Sequence, residues 1–106
     1  MDRDDAFLFA MFSAVRSPEE LRRLLDDLLT PRELDELRLR LDIARRLYEG
    51  QTYEMIQTQT RASSTTISRV RRSLHYGSGG YRTVLDRVVS SGSAAKKAGS
   101  RPPKEG

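Results

Sequence analysis

Between Ser63 and Gly77 the chain reads SSTTISRVRRSLHYG: four hydroxyl residues, then arginines set among single aliphatic ones. Hydroxyls and guanidiniums form a hydrogen-bonding, phosphate-binding set rather than a proton-transfer set. Projected at 100° per residue, Ile67, Val70 and Leu74 share one helical face, while Thr65, Ser68, Arg69, Arg72 and Tyr76 lie opposite. The short hydroxyls let the helix N-terminus approach a phosphate or a groove floor, and the arginines behind them lie where an anionic backbone passes. Such a helix suits the DNA major groove, whose width admits one helix. The plainer alternative is a row of caps followed by a solvated basic face. Aliphatic residues recurring at i, i+3 and i+7 argue against a linker.

Other chemistries find little support. His75 is the sole histidine, without a carboxylate at helical spacing, and at a helix end it reads as a cap or phosphate contact. With no cysteine and one histidine, a zinc site cannot be assembled. Gly77 to Gly80 reads as a flexible link rather than a phosphate loop. The expectation is no catalytic residue, no metal and no enzyme.

The elements that must position the arginine helix are those of a small domain. At 106 residues, 37% hydrophobic and 32% charged, the chain is too apolar for disorder and long enough for one domain with a tail. The longest apolar run, Ala6 to Phe12, is too short to span a bilayer and follows an acidic start, so a soluble protein of the cytoplasm without membrane contact is expected. Residues 1–50 hold nine basic and twelve acidic side chains, residues 51–90 six and two, and residues 91–106 four and one. The positive excess lies wholly in the second half, which points to an anionic partner.

The helices follow from caps and periodicity. Asp4 to about Arg16 is apolar over more than one face and needs covering on two sides. Ser17-Pro18-Glu19-Glu20 starts a second helix, with Leu21, Leu24, Leu25, Leu28 and Leu29 along one stripe. Thr30 and Glu33 make a capping box for a third from Pro31, which ends at Gly50 as a left-handed terminator. Its apolar positions cover more than one stripe, which in so short a chain implies an identical partner.

Thr52 caps Tyr53 to about Thr60, and Ser63 caps Ser64 to about Tyr76, with Arg61-Ala62 as the turn. This is helix-turn-helix spacing over about residues 52–76. Arg61 stands where the turn most often has glycine, and Gln57 where the first helix usually has a small residue. Tyr81, Val84, Leu85, Val88 and Val89 form a last amphipathic helix. The composition of residues 91–106 reads as a disordered basic tail after one domain spanning 1–90. No alternating strand pattern occurs, so the fold class is all-α.

LLTPRELDELRLRLDIARRLYEG and ASSTTISRVRRSLHYGSGGY, in this order, resemble the Trp repressor superfamily and, within it, the YerC/YecD branch. The resemblance covers about residues 7–89 and implies an intertwined helical homodimer carrying a helix-turn-helix. It implies a transcriptional regulator, in the first instance a repressor, binding double-stranded DNA at a pseudopalindromic operator through the major groove. The expected DNA contacts are Ser63, Ser64, Thr65, Thr66 and Ser68, with Gln57, Arg69, Arg72 and Tyr76 around them. Thr30, Arg40, Thr66, Arg69 and Ser73 match the tryptophan-contacting positions of Trp repressor, which L-tryptophan activates. Val70 stands where that repressor has a glycine beside the ligand, and a β-branched side chain there fills the pocket. No L-tryptophan is therefore expected, and another small-molecule corepressor stays open. The competing reading keeps the fold but makes the helix pair a protein-docking module with only nonspecific DNA affinity.

Overall fold

Side-chain caps decide where most of the helices begin. The computed structural model describes the backbone of residues 3–99 and the side chains of residues 5–90. Among these residues there are six helices and no strand: α1 (Arg3–Ser13), α2 (Pro18–Leu28), α3 (Pro31–Tyr48), α4 (Tyr53–Thr60), α5 (Ser64–Tyr76) and α6 (Gly80–Gly99). Among the described residues no helix is long and apolar enough to cross a membrane.

The chain divides into two compact units, Met1–Leu37 and Arg38–Gly106. In the first unit α1 stops three residues short of the expected Arg16. Val15 N–H reaches only back to Phe12 O at 3.3 Å, a tightened final turn, and Ser17 is extended (φ −153°, ψ 159°) as the residue before Pro18 must be. Ser17 Oγ accepts from Glu20 N–H at 3.1 Å, while Glu20 Oε1 accepts from Arg16 N–H at 2.8 Å. At Thr30 the capping box closes in both directions: Glu33 N–H donates to Thr30 Oγ1 at 3.1 Å, and Thr30 N–H to Glu33 Oε1 at 2.9 Å. None of residues 5–37 is buried, and Phe7 is 73% exposed.

The second unit has a core. Ile43 and Ala44 of α3, Ile56 of α4, Ala62 of the turn, and Ile67 and Val70 of α5 form one buried cluster, with Leu39, Leu47, Tyr53, Tyr81 and Leu85 packed against it. α3 ends as expected at Gly50, whose φ of +91° permits Gly50 N–H to bond Leu47 O and Gln51 N–H to bond Arg46 O, both at 3.0 Å. That pair of bonds satisfies carbonyls the helix end would otherwise orphan.

Polar ties join the helices of this unit. The Arg46 guanidinium, 20% exposed, donates to Asp42 Oδ2 at 3.0 Å, to Gln51 Oε1 at 3.3 Å and to Gln59 Oε1, so one side chain links α3, the following loop and the end of α4. Tyr48 donates its hydroxyl to Asp86 of α6, and that bond to a carboxylate raises the phenol's pKa above its ordinary value.

The segment read as a tail begins differently: α6 continues through Gly99, nine residues beyond Ser90. Ala94, Ala95, Lys96, Lys97 and Ala98 are good helix formers, and their propensity outweighs the interspersed Gly and Ser. The rest of that expected tail, residues 100–106, lies outside the described residues.

Arg46→Ala removes the tie across α3 and α4 and leaves the half-buried Asp42 and Gln51 without their shared donor. The expected loss is about 1–3 kcal/mol, read as a lower urea midpoint at unchanged slope. Arg22→Ala, which breaks only a 3.7 Å pair with Asp26 at 78% and 51% exposure, should change stability by less than about 0.5 kcal/mol.

Candidate nucleic-acid interface

α4 and α5 form the helix-turn-helix. Thr52 Oγ1 accepts from Met55 N–H at 3.2 Å to start α4, and Ser63 Oγ accepts from Thr66 N–H at 3.1 Å to start α5. Between them Thr60 Oγ1 donates to Ile56 O at 2.7 Å and accepts from Ala62 N–H at 3.1 Å, so the turn's inner donor is satisfied without water. Arg61 takes the left-handed conformation (φ 63°, ψ 16°), the strained option its position implied, and puts Ala62 into the core at 6% exposure. α5 ends where Gly77 passes over the last turn: a Cβ there would sit 2.4 Å from Ser73 O, a distance no side chain tolerates.

The phase of α5 is the predicted one. Ile67, Val70 and Leu74 are 0%, 3% and 4% exposed. Ser64, Thr65, Ser68, Arg69 and Arg72 face outward and line one hollow along the helix, and Tyr76 beyond it is 85% exposed. Gln57 is exposed on α4. The expected contact residues divide by what their side chains already do. The Ser63 hydroxyl accepts from the Thr66 amide and donates to Thr66 Oγ1 at 3.1 Å, so Ser63 and Thr66 build the cap. Ser68 bonds the hydroxyl of Tyr53, which fixes its Oγ from α4. His75 Nδ1 lies 3.4 Å from Arg82 Nη2, a tie between α5 and α6 rather than a cap.

Electrostatics separates this face from the rest of the unit. Arg45 pairs with Asp42 at 2.9 Å and Glu49 at 3.8 Å, Arg46 with Asp42, and Arg82 meets His75. Arg38, Arg40 and Arg87 also have partners. Among the described residues of the second unit, the arginines with neither ion pair nor side-chain hydrogen bond are Arg61, Arg69, Arg71 and Arg72, all exposed. The cause is in the sequence, which has no acidic residue between Glu54 and Asp86. α5 also lacks an acidic residue in its first turn, leaving the positive end of its dipole uncompensated. A helix N-terminus, exposed hydroxyls and four unneutralised cations together can bind a polyanion that presents phosphates alongside groups for short polar side chains.

The residues matched to a corepressor site are divided between the two units. Thr30 lies in the first unit with its hydroxyl in the capping box, and Arg40 is a partnered residue of α3. α5 sets Thr66, Arg69 and Ser73 along one edge. Val70 is part of the core. Among residues 5–90, no group of three or more His, Cys, Asp or Glu side chains is arranged to hold a metal ion. Sequence reasoning missed Tyr53, because its partner is fifteen residues away. It also missed Arg61 as a bare cation, although the absence of any acid three or four residues away on either side was there to be read.

Comparison with known proteins agrees with this geometry. The sequence model of the Trp repressor protein family matches residues 5–89. The chain is 48% identical over 81 residues to the uncharacterized protein YerC of Bacillus subtilis (strain 168), covering 76% of this chain and 78% of that protein. A crystal structure of a candidate Trp repressor from Staphylococcus aureus superposes with a TM-score of 0.77 at 37% identity, covering 82% of this chain and 87% of that one. A TrpR-like protein from Eubacterium eligens ATCC 27750 does so with a TM-score of 0.77 at 36% identity, covering 82% and 90%.

Replacing Ser63 by alanine should cost about 1 kcal/mol through loss of the α5 cap, with Ser63→Asp restoring it in thermal unfolding. Ser64→Ala, one residue on and outside the cap, should stay within about 0.5 kcal/mol of the parent.

Proposed function

The chain belongs to the Trp repressor family, a family of DNA-binding transcription regulators and not of enzymes, and on that premise we propose that it is a repressor of the bacterial cytoplasm. It binds a pseudopalindromic operator in double-stranded DNA as a homodimer. The observation that carries this reading is the outward face of α5, where exposed hydroxyls stand among arginines without counterions. Ser64, Thr65 and Ser68 are short enough to let the helix into the major groove and reach base edges. Arg69 and Arg72 serve the flanking phosphates, with Gln57 and Tyr76 at the margins.

The dimer is supported by apolar surface that one chain leaves open. Phe7, Leu8, Phe9, Met11 and Phe12 of α1 are each at least 41% exposed, and in the second unit Leu41, Val84 and Val88 are 58%, 53% and 55% exposed. So much exposed hydrocarbon on so small a protein calls for a partner surface, and a second copy offers the same residues in self-complementary form. Two copies of α5 then enter grooves about 34 Å apart, one helical turn. Operator binding without L-tryptophan belongs to the same reading. Val70 places its side chain in the core at 3% exposure, the Thr30 hydroxyl accepts within its capping box, and the Thr66 hydroxyl accepts from Ser63 Oγ.

Selection of random duplexes by the full chain at about 150 mM salt should recover a pseudopalindrome, with or without added L-tryptophan. If each subunit neutralises three or four phosphates, log K should fall against log salt with a slope of about −5 to −7. Deleting residues 91–106 should leave the recovered sequence unchanged. An affinity that disappears with those residues, or no enriched sequence, would return the helix pair to a protein-docking role.

A further inference from the structure

Arg61 is the one non-glycine residue with a positive φ among the described residues. Its neighbours hold it there: Arg61 N–H bonds Gln57 O at 2.8 Å, the Thr60 hydroxyl takes the next amide, and Ala62 is locked in the core. Glycine would make the same turn without strain, and nothing in the packing asks for arginine, since its side chain is exposed and has no partner among the described residues. What the arginine adds is a cation two residues ahead of the α5 cap, at the helix end that carries the positive dipole. Strain maintained where a cheaper residue would serve is a feature of functional positions.

We propose that Arg61 is a DNA-backbone contact, binding a phosphate at the edge of the groove that α5 enters and retained in the turn for that purpose despite its conformation. The proposal rests on the DNA-binding reading of the same helix pair. It adds to it an affinity-determining residue that neither a helical projection of α5 nor the hollow along it includes. A phosphate contact carries no base information, so Arg61 sets the strength of binding to any duplex, while Ser64 and Thr65 set the preference among duplexes.

The test separates backbone from charge with three variants of the full chain, each measured for thermal stability and for binding to the selected operator and a scrambled duplex across a salt series. Arg61→Gly should raise Tm by about 3–6 °C, because relief of the left-handed strain exceeds the added freedom of the unfolded chain. The same variant should weaken binding to both duplexes, roughly 10- to 60-fold at about 100 mM salt, and make the salt slope of the dimer shallower by about two. Arg61→Gln should lose the same affinity with no gain in Tm, and Arg61→Lys should keep affinity within several-fold. Gly and Gln variants that bind with the parent's affinity and slope would overturn the proposal while leaving the DNA reading intact. A parent protein that binds no duplex would overturn both.

Discussion

Three isoleucines, one from each of α3, α4 and α5, are fully buried against one another, and the remainder of the helix-turn-helix depends on that packing. Burying each contributes about 1.5–3 kcal/mol, but the larger consequence is rotational. With Ile67, Val70 and Leu74 committed inward, α5 has no freedom to turn: a rotation of one residue would carry an arginine toward a core holding no buried polar group. The outward face is therefore fixed by what the inward face must exclude. Ala62 takes part in the same constraint, because a small residue in the turn lets α4 and α5 close over Ile43 and Ile56. The Arg46 clamp and the Tyr53–Ser68 bond then restrain the one remaining movement, sliding of α4 along its neighbours.

Charge is sorted along the chain in a way that stability does not explain. Arg22 and Arg23 of α2 and Arg45 of α3 sit three or four residues from acids and pair with them on the surface. Exposed pairs of this kind contribute only about 0–1 kcal/mol, so their pairing is better understood as local neutrality. Across the turn and α5 the acids are withheld, and four guanidiniums keep their full field. Unlike charges at this range attract through water, so an unpaired cluster both draws a polyanion in and releases counterions when it binds. A low total charge conceals this, because the compensating acids are elsewhere in the chain.

What could be read from the sequence was what local interactions decide. The starts of α2, α3, α4 and α5 and the end of α3 rest on groups at most five residues apart, and the caps at Ser17, Thr30, Thr52 and Ser63 and the Gly50 terminator stand where the spacing placed them. The strained Arg61 and the outward face of α5 were legible for the same reason. Pairings across thirteen, fifteen and thirty-eight residues were not: Arg46 with Gln59, Tyr53 with Ser68, and Tyr48 with Asp86 exist only once helices have crossed. The run of α6 past Ser90 was missed by averaging composition over a segment whose Ala and Lys residues favour a helix. Neither could the exposed state of α1 be read, since apolar periodicity says that a face must be covered and not by which chain.

That last point ties stability to recognition. The first unit buries no side chain among residues 5–37, and the core of the second is a handful of aliphatic residues, few for a chain of this length. In the proposed dimer the missing burial comes from the partner, so folding and association draw on the same free energy and the folded fraction follows protein concentration. In that dimer the same contacts would set the separation of the two α5 helices, because the surfaces that cover hydrocarbon would also define the symmetry axis between them. A substitution that loosens the covering surface then acts twice, lowering the population of folded protein and spreading the spacing at which paired half-sites can be engaged.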